Sequence, residues 1–173
     1  MKYRTLGRSG FKVSELALGT EHLKKPPSRV QKVVAKALDA GVNYIDMVYN
    51  LSDCLAAYSA AIDGRRSEVM LAHHLGSSEK DGRYRKTRSP EECESEFERF
   101  LRVMKTDYVD VANIHFIADD KGYETVTKPG GVLDLATRLK EEGRARLVGI
   151  STHEASLVKR AAESGSVDVI MYQ

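Results

Sequence analysis

The chain of 173 residues lacks the features that would place it in a membrane or on a nucleic acid. No apolar run approaches the ~20 residues that a membrane-spanning helix needs, and the opening residues do not resemble a signal peptide. Its 27 Lys and Arg nearly cancel its 25 Asp and Glu, and a net charge of +2 gives no field that would attract a nucleic acid. We therefore expect a cytoplasmic protein.

Cysteine is also scarce, with only two residues, Cys54 and Cys93. They lie far apart, in no CxxC motif and in no local metal-binding pattern. We expect two reduced thiols on different helices, in a reducing compartment.

What the chain does have is a regular alternation of strand and helix patterns, with 42% hydrophobic residues to form one substantial core. Residues 1–14 alternate apolar and polar side chains around Gly7 and Gly10, which predicts a hairpin. Five helices are predicted after it, the clearest starting at Ser89 and Pro90, and a long basic loop is predicted before that helix. The six predicted strands are Leu16–Leu18, Asn43–Asp46, Val69–His73, Tyr108–Ile114, Leu147–Ile150 and Val167–Tyr172.

Strands that alternate with helices of this length predict a parallel α/β fold. A doubly wound sheet usually carries a glycine-rich phosphate loop after its first strand, and the segment GTEHLKK (19–25) has no GxGxxG motif. The alternative is a (β/α)8 barrel of the TIM type, in which polar residues gather at the carboxyl ends of the strands. Such residues do occur there, and we favour the barrel. They are Thr20, Asp46, His74, His115 and Ser151.

A complete barrel takes about 250 residues and eight units. We therefore expect residues 1–173 to form a single barrel domain that is incomplete at its carboxyl end. It would be the first part of a longer product, or a partner chain would complete its sheet. Open sheet edges also make self-association possible.

Four segments resemble the aldo-keto reductase family: YRTLGRSGFKVSELALGT (3–20), AGVNYID (40–46), DYVDVANIH (107–115) and VGIS (148–151). The resemblance implies an NADPH-dependent reductase of small aldehydes or ketones. In this family a tyrosine donates the proton, a lysine paired with an aspartate lowers the pKa of that tyrosine, and a histidine orients the substrate.

Carried over by position, the aspartate is Asp46 and the histidine is His115. The position of the tyrosine holds Leu51, and that of the lysine holds His74, the second residue of a His-His pair. Successive strand residues point to opposite faces, so only one of His73 and His74 can enter the barrel mouth. Tyr49 is a candidate for a relocated acid.

The resemblance implies cofactor contacts from Gly19, Thr20, Asp46, Ser151 and Thr152. The position of a family glutamine in the sixth strand holds Met171. The segment that grips the adenosine phosphate follows the seventh strand in this family and so lies outside these residues.

Three interpretations stay open. The first is a divergent NADPH-dependent oxidoreductase with a degenerate site. The second is a catalytically silent barrel that binds a ligand or a partner, with Asp46 capping a loop and His115 a core residue. The third is a metal or redox-group protein on the same fold, with His22, Asp46, His74 and His115 as conceivable ligands, although their spacing is nowhere local and we assign no metal.

Overall fold

A computed structural model describes residues 1–173 apart from the side chain of Asp53. Its centre is a parallel sheet of six strands in the order β10-β9-β8-β5-β4-β3. The sheet confirms the six predicted strands, with ends shifted by a few residues. The ten strands are β1 (Tyr3–Thr5), β2 (Lys12–Ser14), β3 (Leu18–Gly19), β4 (Tyr44–Met47), β5 (Met70–Leu75), β6 (Ser77–Lys80), β7 (Arg83–Lys86), β8 (Val109–Ile117), β9 (Ala145–Thr152) and β10 (Val169–Tyr172).

Helices follow the strands along the chain and cover the outer face of the sheet. They are α1 (Pro27–Asp39), α2 (Ser52–Ala61), α3 (Pro90–Met104), α4 (Asp120–Thr127), α5 (Val132–Glu141) and α6 (Ala155–Ser164). A 3-10 turn, Arg66–Glu68, precedes β5. The predicted cap of α3 is confirmed, since the Ser89 side chain accepts a hydrogen bond from the Glu92 amide.

The sheet separates two apolar clusters, which is the arrangement of a barrel. The larger cluster lies between the strands and the helices and includes Phe97, Phe100 and Ile114. The smaller cluster contains Tyr44, Met70 and other residues of the opposite face. Apolar residues of the amino-terminal hairpin β1–β2 and its turn pack against this smaller cluster, so the hairpin covers one end of a curled partial barrel.

Two connections differ from the prediction. The prediction of a long loop after the third predicted strand is wrong, because β6 and β7 pair there as an antiparallel hairpin. Its turn is Asp81-Gly82, and both residues have positive φ, as a two-residue hairpin turn requires. The count of five helices is also wrong, because α4 precedes α5. Helix α4 is short and carries Gly122 in its first turn, and it is held by an Asp119 cap and by buried Tyr123.

The edges of the sheet are β3, which is two residues long, and β10, whose residues are partly exposed. Self-association through these edges stays a prediction. In the part of the chain that the structure describes, every helix is too short or too polar to cross a bilayer.

Candidate active site

Three polar side chains meet at the carboxyl ends of β4, β5 and β8. The parallel pairing of these strands brings their ends to one edge of the sheet. His74 Nε2 lies 2.9 Å from Asp46 Oδ1, and His74 Nδ1 lies 3.0 Å from His115 Nδ1. All three side chains are buried and line a cleft of about 410 Å³. Asp46, His74 and His115, which sequence reasoning selected separately, thus form one hydrogen-bonded row.

A fourth residue, Tyr84, extends this row, and the sequence analysis missed it. The hairpin β6–β7 places the Tyr84 hydroxyl 2.6 Å from His115 Nε2. The sequence predicts a solvated basic loop over residues 84–88. Arg85 and Lys86 are exposed as predicted, and Tyr84 is also partly exposed, but its side chain lines the cleft. The Asp81-Gly82 dipeptide was the available signal, because it predicts a hairpin and hence the return of Tyr84 towards the end of β5.

The row has a defined direction when Asp46 is ionised and both imidazoles are neutral. An ionised carboxylate only accepts hydrogen bonds, so His74 donates from Nε2 and accepts at Nδ1. His115 then donates from Nδ1 and accepts at Nε2, and Tyr84 donates its hydroxyl proton to that nitrogen. Every hydrogen bond in the row then holds one proton.

The neutral state of His115 agrees with its surroundings. Burial lowers the pKa of His115 from 6.5 to about 3, and the nearby His74, Arg88 and Lys86 lower it further in the same direction. Burial also raises the pKa of Tyr84, against a smaller opposing effect of Arg88. The last two members of the row are thus uncharged at neutral pH.

Tyr49 lies in the same cleft but outside the row. Its hydroxyl donates to Glu21 Oε1 at 3.1 Å, and its ring packs edge-on against Tyr84 at 4.7 Å between centroids. Burial and the hydrogen bond to Glu21 raise the pKa of Tyr49. Lys24 Nζ lies 4.2 Å from the ring centroid. Tyr49 therefore supports the Tyr84 ring, and its own proton is engaged by Glu21.

Leu51 and His73 lie away from the row. Leu51 is the residue directly before α2, and its side chain packs against the larger apolar cluster. The position where the family resemblance implies a tyrosine is therefore part of the apolar core. His73 points to the face opposite to His74 and contacts the rings of Phe97 and Phe100. Its two nitrogens have no hydrogen-bond partner among the described residues, and burial lowers its pKa well below 6.5.

The proposed nicotinamide contacts differ in what they can still bind. Ser151 lines the cleft and its oxygen accepts a hydrogen bond from the Phe116 amide at 3.2 Å. No described atom takes the Ser151 hydroxyl proton, so Ser151 can donate to a carboxamide. Thr152 also lines the cleft, but its hydroxyl already donates to the Ile117 carbonyl at 2.7 Å and accepts from the Glu154 amide at 3.0 Å.

Gly19 and Thr20 do not belong to the cleft wall. The Thr20 amide donates to the Asp46 carbonyl at 3.1 Å, and its hydroxyl oxygen accepts from the Val48 amide at 3.3 Å, so Thr20 fixes the loop after β4. Among the side chains that the structure describes, no group of three His, Cys, Asp or Glu is arranged to hold a metal. Both nitrogens of His74 are already hydrogen-bonded, and His22 is exposed.

Comparison with known proteins agrees with this geometry. The model of the aldo/keto reductase family matches residues 15–173. The chain is 27% identical over 178 aligned positions to the uncharacterized oxidoreductase YqkF of Bacillus subtilis, covering 100% of the chain and 56% of that protein. The holo form of the aldo-keto reductase AKR11C1 from Bacillus halodurans superposes with a TM-score of 0.85 at 27% identity, covering 100% of the chain and 57% of that structure. An aldo/keto reductase from Brucella melitensis, 22% identical, shares the fold with a TM-score of 0.70 over 98% of the chain and 61% of its own.

The chain belongs to the aldo/keto reductase family and has its oxidoreductase fold. The fold class is confirmed as a partial (β/α)8 barrel. The chain spans about half the length of the curated relative and of the first structure that it matches.

Proposed function

We propose that this chain carries the active site of a nicotinamide-dependent reductase of small aldehydes or ketones, with NADPH as the preferred cofactor. The observation that supports it is the hydrogen-bonded row from Asp46 through His74 to His115 at the carboxyl ends of the barrel strands. A buried, directed row of this kind at a cleft is an arrangement for holding or moving a proton.

The site is degenerate relative to the family because Leu51 and His74 replace the tyrosine and the lysine that the resemblance implies. In this proposal Asp46 fixes the orientation of His74, and His74 fixes that of His115. His115 is the last of these three residues, and a substrate carbonyl would bind in the cleft that all three line. Val48, Phe116 and Met171 contribute apolar surface to the same cleft and would exclude water from the reacting groups.

The residues present fit the nicotinamide end of the cofactor. The Ser151 hydroxyl proton is available for the carboxamide, whereas Thr152 serves the backbone. When bound, a reduced nicotinamide supplies the hydride, that is, two electrons and one hydrogen nucleus, for the carbonyl carbon. The protein must then stabilise the negative charge that develops on the carbonyl oxygen.

The test is titration with NADPH and NADP+ by fluorescence, followed by NADPH oxidation in the presence of a small aldehyde. The variants are Asp46→Asn and His115→Phe, and the matched control is Asp63→Asn, an exposed aspartate remote from the cleft. The proposal requires saturable oxidation that falls in both site variants and persists in the control. Binding without turnover would favour a silent ligand-binding barrel, and absence of binding would contradict the proposal.

Two finer expectations accompany it. A cytoplasmic location fits the thiols of Cys54 and Cys93, which are buried on α2 and α3 and form no disulfide. A partner or a second copy at the sheet edges stays part of the proposal.

A further inference from the structure

Tyr84 is the member of the row that faces outward. Tyr84 is 41% exposed, whereas His115 is 5% exposed and His74 only 2%. Its hydroxyl is in hydrogen-bond contact with His115 and it lines the cleft where a substrate would bind. The row therefore begins at a buried carboxylate and ends at a phenol in the cleft.

The hairpin that carries Tyr84 is anchored at several points, so the position of the hydroxyl is well defined. Glu79 accepts hydrogen bonds from the amide and the hydroxyl of Ser52 at 2.8 and 2.7 Å. The Thr87 amide donates to the Gly76 carbonyl at 2.9 Å and closes the base of the hairpin. The Tyr49 ring supports the Tyr84 ring from the other side.

We propose that Tyr84 is the proton donor to the carbonyl oxygen, and that His115, His74 and Asp46 restore its proton through the hydrogen-bonded row. This inference rests on the proposed reductase function. It assigns to a residue of the β6–β7 hairpin the task that Leu51 cannot perform.

The transfer of one proton along the row accounts for the proton that the substrate receives. The active form carries one additional proton, taken from solvent and shared by Asp46 and His74, whose side chains are 2.9 Å apart. His74 then donates from Nδ1 to His115, His115 donates from Nε2 to the Tyr84 oxygen, and the Tyr84 hydroxyl is free to point at the substrate.

In the reaction the Tyr84 O–H bond breaks as the substrate O–H bond forms, and the carbonyl carbon receives the hydride. The Tyr84 oxygen takes the Nε2 proton of His115, and His115 Nδ1 takes the Nδ1 proton of His74. The product is the neutral row described above. His115 carries one proton before and after, so it never has to become an imidazolium in its buried position.

The groups that face the row decide its pH response. They are Arg88 and Lys86 beside His115, Glu21 and Lys24 beside Tyr49, and His153, which also lines the cleft. Because reduction starts from the form with the additional proton, its rate falls as pH rises. Oxidation of an alcohol with NADP+ runs the row backwards, and its rate rises with pH.

The experiment compares three hydroxyl deletions in the full chain: Tyr84→Phe, Tyr49→Phe and the control Tyr108→Phe. Tyr108 precedes β8 at the opposite end of the barrel. We expect Tyr84→Phe to lower kcat by about 10²-fold or more, the share of a general acid, with the Kd for NADPH unchanged. The pH dependence of kcat should disappear with it. Tyr108→Phe should match the parent chain.

A second readout needs no turnover. In ¹⁵N NMR of the histidine side chains at neutral pH, the parent chain should show His74 protonated at Nε2 and His115 protonated at Nδ1. Tyr84→Phe should shift the resonance of His115 Nε2, which loses its hydrogen-bond donor, whereas Tyr49→Phe should leave it in place.

The outcomes separate this inference from the proposed function. Full activity in Tyr84→Phe, with Asp46→Asn and His115→Phe inactive, would overturn the inference and leave the reductase function standing. Loss of kcat with an unchanged pH profile would also overturn it, because Tyr84 would then only position His115. Loss in Tyr49→Phe alone would assign the donor to Tyr49. Absence of cofactor binding in the parent chain would overturn both.

Discussion

The Tyr84 hydroxyl lies 2.6 Å from His115 Nε2, although the two residues are 31 positions apart in the sequence. One belongs to a polar hairpin and the other to the end of a buried strand. Their contact joins the hairpin to the row of Asp46 and His74. It brings a phenol to a site whose expected tyrosine position is occupied by Leu51.

The first prediction concerns Gly76, which links β5 to the hairpin. Its φ is +93°, and a Cβ there would lie 2.7 Å from the Thr87 carbonyl oxygen. Gly76→Ala should therefore destabilise the fold and displace Tyr84. Gly130→Ala is the matched control, because Gly130 also has positive φ but has no atom within 4 Å of its Cβ position.

Urea denaturation measures both glycine variants. The backbone conformation alone should cost each about 1–2 kcal/mol. Gly76→Ala should cost more than Gly130→Ala because of the added clash, and it alone should lower kcat. Equal losses of stability in the two variants would contradict the role assigned to Gly76.

The second prediction concerns His73, which is fully buried with two unpartnered nitrogens among the described residues. A buried polar group without a partner costs about 1–3 kcal/mol. His73→Leu removes that cost and keeps apolar contact with Phe97 and Phe100. We expect a free energy of unfolding equal to or above that of the parent chain, measured in urea at neutral pH, with NADPH binding retained. A marked loss of stability would contradict the absence of a hydrogen-bond partner for His73 among the described residues.

The third prediction is the effect of acid on stability. His115 has a folded-state pKa of about 3 against an ordinary 6.5. Between these values the unfolded chain binds a proton at this position and the folded chain does not, so the free energy of unfolding falls as pH drops. The slope is about 1.4 kcal/mol per pH unit for one such histidine. His115→Phe should make the slope shallower, whereas His22→Phe, at an exposed position, should not. An identical slope in the two variants would contradict the neutral buried state of His115.

The fourth prediction concerns Asp110, a buried carboxylate that connects three strands at the amino-terminal end of the sheet. It contacts Arg66 and Arg146, each at 3.0 Å, and accepts a hydrogen bond from the Leu71 amide at 2.9 Å. Asp110→Ala leaves these donors without their acceptor and should cost about 2–4 kcal/mol, less than a fully buried pair because both arginines are partly exposed.

The control for Asp110 is Asp120→Ala, which removes the exposed pair of Asp120 and Arg160. An exposed pair contributes about 0–1 kcal/mol, so this variant should unfold close to the parent in urea. Equal free energies of unfolding in the two variants would contradict the stabilising role of Asp110.

The sequence predicts the sheet well, because each central strand is an apolar run with helix patterns on either side. It also selects Asp46 and His115 through their positions at strand ends. It does not predict α4, whose Gly122 and polar residues hide a helix that packing stabilises. The role of Tyr84 is not predicted from the sequence for a different reason. Its contact with His115 depends on the β6–β7 hairpin, and the charged residues of these strands resemble a solvated loop unless the Asp81-Gly82 turn is recognised.

The most direct test of the proposed active site is NADPH oxidation with a small aldehyde, measured on this chain and on the longest product of its gene, in parent and Tyr84→Phe forms. We expect saturable oxidation by at least one parent form and a loss of about 10²-fold in kcat for its Tyr84→Phe variant, with cofactor binding retained. No NADPH binding and no oxidation in either parent form would contradict the assignment of this site to carbonyl reduction.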